Sequence, residues 1–286
     1  DGDILIPTPS WVSYQPQAVL AGRRLVALPG GGRHRLMVDP DTLAQVCQAD
    51  DRPRMIILNS PSNPTGAAYD RRELEALAEV LAAHPQVFVI VDDVYEMLYF
   101  DGERPPHLLK LRPELRSRTA VINSVSKTYA MTGWRLGYAA GPASLIKAMT
   151  TIQGQCTSNP TAIAQAAALR APYGAEGEIT PMGEEVRWRR DYVVERLRRL
   201  PGVSIVKPAG AFYAFPDVSA LFARNWRGSP LGGAGRFCEF LLAEAQVALV
   251  GGDDFAAPEH VRISYATSRA ALERGFDAIE EAIARL

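Results

Sequence analysis

Three solidly apolar runs, Met55 to Leu58, Val87 to Val91 and Thr119 to Ile122, do most to constrain what this chain can fold into. None carries the alternating polar face of a strand that meets water on one side. Such runs are stable where both faces are covered, as in a parallel sheet between helices. The stretch separating the first two is amphipathic. From Asp70 to Ala83 it sets Leu74, Leu77, Val80 and Leu81 on one face, and Asp70 and Glu73 have the spacing of a capping box. The same alternation runs outward in both directions. Ile4 to Ile6 reads as a short strand stopped by Pro7 and Pro9, Gln15 to Ala21 as a helix ended by Gly22, and Arg24 to Leu28 as a strand. Asp39 to Cys47 reads as a helix with Asp39 or Asp41 as its N-cap. Leu108 to Arg118 connects, Leu136 to Ala140 is a strand, and Pro142 to Gln155 and Ile163 to Leu169 are helices. The predicted architecture is α/β: a three-layer sandwich whose sheet is mostly parallel, extending to about residue 170.

Beyond that point the pattern changes. A long charged helix, Met182 to Leu200, leads to short strands at Val203 to Val206 and Ala211 to Phe215. A Gly-rich stretch, Arg224 to Gly235, reads as a mobile loop. Helix Arg236 to Gln246, strands Val247 to Val250 and Val261 to Tyr265, and helix Ser268 to Leu286 complete the chain. This mixture predicts a smaller C-terminal α+β domain, 176–286, after a large domain, 1–175. A length of 286 residues with 47% hydrophobic content supports two such units. The net charge of −1 provides no field for nucleic acid or a membrane surface. Three scattered cysteines argue against a disulfide framework, and the four histidines lack ligand spacing, so no metal is expected. No apolar run reaches the roughly 18 residues of a membrane span and no signal-peptide pattern is visible, so a cytoplasmic location is expected.

Chemistry gathers at the ends of the predicted strands. Of 31 Lys and Arg residues only Lys110, Lys127, Lys147 and Lys207 are lysines. Lys127 alone follows directly on a buried strand, among Ser124, Ser126 and Thr128, with Arg135 in a Gly-rich turn. Hydroxyls and a guanidinium hold phosphate, and a desolvated amine condenses with an aldehyde. Taken singly, each feature also has a plain alternative. Lys127 could be a solvated residue at a strand-to-loop junction. Asp92, after Val91, is costly to bury without a cationic partner, yet Asp92-Asp93 could simply cap a helix. Trp11 could be core, Asn63-Pro64 an ordinary turn and Arg262 a surface charge. Ser124-Val-Ser-Lys127 also matches an acyl-enzyme signature, but its companion motifs are missing from the sequence. Gly30 to Gly32 forms a flexible loop and not a phosphate fingerprint.

Taken together, Ser-x-Ser-Lys with Arg135 and Gly-Tyr behind it, Pro-Ser-Asn-Pro-Thr-Gly at 61–66, Asp92-x-x-Tyr95 and Arg262-Ile-Ser-Tyr resemble the fold-type I aminotransferases, closest to the prokaryotic aspartate-type enzymes of subgroup I.

 The resemblance spans the whole chain, and what it implies is as follows. Lys127 carries pyridoxal phosphate as a Schiff base and then acts as the base between Cα and C4′. Asp92 keeps the ring nitrogen protonated, and Tyr95 and Asn63 bond the 3′-oxygen. Trp11 stacks on the ring, Ser124, Ser126 and Arg135 hold the phosphate, and Arg262, with Asn63 and Trp11 beside it, receives the substrate carboxylate. The implied reaction is a ping-pong transfer of an amino group from an aspartate-, glutamate- or aromatic-type L-amino acid to a 2-oxo acid.

Further expectations come with that family. A homodimer is implied, with Thr157 to Asn159 as a contribution across its interface. About a hundred further residues are expected upstream, on the scale of family against domain lengths. A β-lyase or decarboxylase of the same fold, and the effector domain of a transcription regulator, are the alternatives. No nucleic acid or membrane partner is expected.

Overall fold

The computed structural model describes residues 2–30, 36–49, 53–174 and 176–286. Its first part is a six-stranded sheet in the order β2-β1-β3-β4-β5-β6. The strands are β1 (Asp3–Thr8), β2 (Leu25–Pro29), β3 (Pro53–Asn59), β4 (Phe88–Asp92), β5 (Thr119–Ser124) and β6 (Gly137–Ala140). All neighbours run parallel except β5 and β6, which are antiparallel. The apolar runs behave as their composition requires. Leu5, Ile56 and Val89 are fully buried, each contributing about 1.5–3 kcal/mol of transfer free energy. Pro7 does not stop β1. The strand continues to Thr8 because beyond Leu5 it pairs with β2 alone, so the missing N–H breaks no ladder on the other side.

The helices of this part are α1 (Tyr14–Leu20), α2 (Pro40–Ala49), α3 (Arg71–Ala83), α4 (Leu108–Leu111), α5 (Val125–Thr128), α6 (Ala143–Cys156) and α7 (Ala162–Gly174). The capping box of α3 is complete: Glu73 N–H donates to Asp70 and Asp70 N–H donates to Glu73. Asp39 caps α2 by accepting from Thr42 N–H at 2.8 Å. Leu43, Leu77 and Leu81 then close over the sheet with Leu5 and Val89. The Gly30–Gly32 loop lies outside the described residues from position 31 onward.

The second part starts at α8 (Glu176–Arg199) and contains β7 (Tyr213–Ala214), β8 (Asn225–Trp226), β9 (Ser229–Pro230), α9 (Ala234–Ala245), β10 (Val250–Gly251), β11 (Val261–Ser264) and α10 (Arg269–Ala284). The strands β10, β11 and β7 form a small antiparallel sheet. Helix α10 is capped by Ser268 and buries Leu272, Phe276, Ile279 and Ile283 against that sheet's core. Three expectations need correction. Val203 to Val206 makes only an isolated bridge between Ser204 and Asp217, and Val247 to Val250 contributes only its last residue to a strand. Both runs owe their apolar character to packing against a core and not to a ladder, because burial selects the same residues as strand pairing does. The Arg224–Gly235 stretch is not an open loop: β8 and β9 form a hairpin turning at Arg227 and Gly228, both with positive φ, and Trp226 Nε1 donates to Glu244 at 3.0 Å.

The two parts are pinned together beside the carboxyl ends of the sheet. The Gly66 carbonyl accepts from Ala209 and Gly210 N–H at 2.8 and 2.9 Å. Gly66 has φ +66°, and a Cβ there would meet Pro208 Cβ at 2.6 Å. The buried Arg190 of α8 donates to Asp101 at 2.7 Å and to the Pro208 carbonyl at 3.1 Å.

Candidate active site

The strand order reverses direction around β1 and β3, and open α/β sheets place their ligands in the crevice at that point, outside the carboxyl ends. The predicted residues collect there. Trp11 follows β1, Asn63 follows β3, Asp92 ends β4 and Ser124 ends β5. Asn59 and Asp92 are register partners, so the ends of β3 and β4 stand level. Asn59 ties them further: its Nδ2 donates to the Asp92 carbonyl at 2.9 Å, while its Oδ1 accepts from Asn63 N–H at 3.0 Å. The rigid Pro61–Gly66 turn thereby holds Asn63, which is buried, above the sheet edge.

Asp92 accepts from the Tyr14 hydroxyl at 2.5 Å and from Val94 N–H at 3.3 Å. Burial pushes its carboxyl above the usual carboxylate range, and these two bonds offset only part of that. Asp93, its neighbour, faces elsewhere, with Oδ2 3.1 Å from His107 Nε2. Asp92 is therefore a half-buried acid at the crevice with no cation beside it among the described residues. Trp11 meets Tyr14 edge-on at 5.3 Å and remains partly exposed.

Lys127 lies on the short helix α5, which Ser124 caps by accepting from Ser126 N–H at 3.0 Å. Ser124 Oγ is also 2.7 Å from Ser126 Oγ and 2.7 Å from the Leu136 carbonyl oxygen. The Lys127 amine has no carboxylate partner among the described residues. It stands 6.0 Å from the Tyr95 ring centroid and 5.3 Å from that of Phe212. Burial first, then the charges of Arg135 and Arg262, lower its pKa from the ordinary lysine value. Arg135 is exposed, adopts a left-handed backbone conformation, and spends one donor on the Thr132 carbonyl at 2.7 Å, leaving its other N–H groups available.

The opposite wall comes from the second part of the chain. Arg262 on β11 donates to Asn63 Oδ1 at 2.9 Å, and its buried Nε has no partner. Tyr95 is buried, with its hydroxyl 3.0 Å from that of Tyr213. Several of the predicted residues are thus brought near one another: Lys127 feels the charges of Arg135 and Arg262, Arg262 bonds Asn63, and Asn59 links Asn63 to Asp92. Tyr14, Phe212, Tyr213 and Phe255 were missed by sequence reasoning. Tyr14 stands in the same loop as Trp11, and Phe212-Tyr213 is an aromatic pair on a predicted strand, but neither signal says which distant residue it will meet. Thr157 and Asn159 line an open groove of roughly 720 Å³ that also contains Arg135 and Trp134. Among the described residues, no cluster of three or more His, Cys, Asp or Glu is placed to hold a metal ion.

Comparison with known proteins places this geometry in context. The sequence matches the family model for aminotransferase class I and II over residues 1–279. The chain belongs to that family. An aspartate aminotransferase of Geobacillus stearothermophilus is 44% identical over 283 residues, covering 98% of this chain and 70% of the relative. An aspartate/prephenate aminotransferase of Cereibacter sphaeroides is 45% identical, covering 93% of this chain and 66% of the relative. The crystal structure of the aspartate aminotransferase from Rhizobium meliloti superposes with a TM-score of 0.93 at 39% identity, over 100% of this chain and 71% of that one. The aromatic aminotransferase from Pyrococcus horikoshii gives 0.90 at 36% identity, over 100% and 74%. Aminotransferases of this class depend on pyridoxal phosphate and move amino groups, so the chain is a transaminase by family.

The residues present fit that cofactor. A half-buried carboxyl of raised pKa without a cation among the described residues suits a protonated ring nitrogen, and an amine without an acid partner there suits an aldehyde. Two hydroxyls and a guanidinium with donors to spare suit a phosphate.

Proposed function

We propose that this chain transfers the amino group of an aspartate-, glutamate- or aromatic-type L-amino acid to a 2-oxo acid, using pyridoxal phosphate held in the crevice. The observation that carries the reading is the juxtaposition of the Lys127 amine and Arg262, both without an acid partner among the described residues, with the half-buried Asp92. When bound, the cofactor supplies an aldehyde carbon that condenses with amines and a ring that accepts electron density. Asp92 would hold its ring nitrogen, Tyr95 and Asn63 its 3′-oxygen, Trp11 its face, and Ser124, Ser126 and Arg135 its phosphate.

The chain's own residues then do the following. Arg262 grips the carboxylate of the incoming amino acid through Nε and a second N–H, which fixes the direction of its Cα–H bond. Lys127, whose lowered pKa leaves more free amine at a given pH, takes the Cα proton and later returns it. Tyr95 and Phe212 flank that amine, their ring centroids 6.0 and 5.3 Å from it.

The division into a cofactor-binding unit, 1–175, and a smaller unit, 176–286, belongs to the same reading. So does a homodimer, supported by the exposure of Tyr138, Ile152, Ile163 and Leu169 on β6, α6 and α7. A cytoplasmic location belongs to the same reading; among the described residues no helix is long and apolar enough to cross a membrane. The test is to supply pyridoxal phosphate, aspartate and 2-oxoglutarate and to follow glutamate, ammonia and carbon dioxide together. Glutamate formed with oxaloacetate, without the two gases, is expected; ammonia or carbon dioxide in its place would overturn transamination.

A further inference from the structure

Arg262 is anchored in an unusual way for a cation that is partly buried. No carboxylate lies within ion-pairing distance of it among the described residues. Its guanidinium carbon instead sits 4.8 Å from the Tyr213 ring centroid and 4.9 Å from that of Phe255, while Nη1 donates to Asn63 Oδ1. Aromatic faces and an amide oxygen orient a guanidinium without cancelling its charge. An acid in their place would hold it as firmly but would compete with any anionic ligand. Tyr213 has a second contact at its other end. Its hydroxyl is 3.0 Å from the Tyr95 hydroxyl, and both side chains are buried.

We propose that Tyr213 is a positioning residue that serves both halves of the site at once: its ring face holds Arg262 ready for a carboxylate, and its hydroxyl donates to Tyr95 so that Tyr95 points its own proton outward into the crevice. This rests on the aminotransferase reading for what Tyr95 and Arg262 bind. The direction of the hydrogen bond follows from the surroundings. If Tyr95 gives its proton to a ligand oxygen, its own oxygen is left to accept, and Tyr213 is the donor within reach. Accepting that bond makes Tyr95 a stronger donor, since chained hydrogen bonds polarise one another. Tyr213 is held for this task by β7, whose Tyr213 pairs with Ser264 of β11, two residues from Arg262. Its carbonyl also lies against Gly66, where a Cβ would meet it at 2.8 Å, so the turn bearing Asn63 and the strand bearing Tyr213 share one close contact.

The test separates the hydroxyl from the ring. Three variants of the full chain are compared: Tyr213→Phe, Phe255→Leu and Tyr213→Leu. Two quantities are read: the calorimetric affinity for succinate, as a carboxylate probe that needs no turnover, and the pH midpoint of the bound cofactor's near-ultraviolet absorbance. Tyr213→Phe keeps the ring and loses the donor. Succinate affinity should stay within about twofold, since a bare aromatic face still serves a cation. The absorbance midpoint should rise, because weaker donation from Tyr95 leaves more negative charge on the neighbouring ligand oxygen. Phe255→Leu should do the reverse, weakening succinate by about 3–10-fold, the worth of one cation–π face, with the midpoint unmoved. Tyr213→Leu should change both. Thermal melts identify any variant that has lost its fold, and Phe255→Leu with Tyr213→Phe suffice should Tyr213→Leu fail. A Tyr213→Phe midpoint equal to wild type overturns the hydroxyl role. Succinate binding that is absent in wild type, or unaltered in Phe255→Leu, overturns the primed Arg262. If wild type shows no cofactor absorbance, the aminotransferase reading fails, and the succinate comparison still decides the Arg262 half.

Discussion

The two walls of the crevice are built on different principles. The sheet edge is a polar surface knit by local bonds: Ser124 caps the helix that carries Lys127, Asn59 links the turn of Asn63 to the backbone of Asp92, and Tyr14 caps the Asp92 carboxyl. The wall from the second part is aromatic, with one guanidinium oriented by ring faces and an amide oxygen. A polar floor whose groups are fixed in place suits a ligand that stays. A cation against rings, with no acid beside it among the described residues, suits a carboxylate that must arrive and leave each turnover. On the proposed function, the sheet edge would retain the cofactor and the far wall would exchange the substrate.

The sharpest way to break that contrast is on the floor. Lys127→Ala should lower turnover by about 10⁴-fold or more, because it removes both the condensing amine and the base; steady-state assays with aspartate and 2-oxoglutarate measure this. Asp92→Ala should lower kcat by about 10²–10⁴-fold, the scale of about 3–5 kcal/mol for losing a charge partner, while cofactor is still bound. On the far wall, Arg262→Lys should raise KM for aspartate by about 10–100-fold with a smaller change in kcat, since ammonium cannot form the paired bonds of a guanidinium. A KM that is unchanged, with kcat reduced instead, would move Arg262 from exchange to chemistry.

Much of the floor was legible in the sequence because it is written locally. The solid apolar runs define β3, β4 and β5, and each candidate side chain of the floor follows its strand within a few residues. The Asp70 and Glu73 capping box is likewise a pattern of spacing, and both of its bonds form. The far wall was less legible. Arg262 was found only by resemblance, and Tyr213 meets Tyr95 across 118 positions. Tyr14 reaches Asp92 across 78. Periodicity reports which face of an element is buried and says nothing about which distant residue it will face. Strands at Val203–Val206 and Val247–Val250 were misread for a related reason, because an apolar run signals burial whether or not a neighbouring strand is present.

Two smaller effects sharpen the comparison. Gly66→Ala should destabilise the chain by about 1–3 kcal/mol in denaturant unfolding, because the added Cβ would press on Pro208 and on the Gly210 and Tyr213 carbonyls where the walls are pinned. An unfolding midpoint equal to wild type would show that the walls are not held there. Asp92→Asn should have the smallest effect and the opposite sign. Burial raises the Asp92 carboxyl pKa in the folded chain, so the folded state holds its proton more tightly than the unfolded one. Stability is then full below the ordinary carboxylate range, falls as pH rises through the folded value, and stays reduced above it. The cofactor-free Asn variant should accordingly be more stable than wild type by about 1 kcal/mol at neutral pH and equal to it in acid, in paired melts. A wild-type advantage at neutral pH would mean that the carboxylate already has a cationic partner.

The most direct test of the account is chemical. The chain is loaded with pyridoxal phosphate, reduced with borohydride, digested and mapped by mass spectrometry. The account predicts the pyridoxyl group on Lys127, with Lys110, Lys147 and Lys207 unmodified. A labelled position other than 127, or no label in a preparation that still exchanges amino groups, would contradict it.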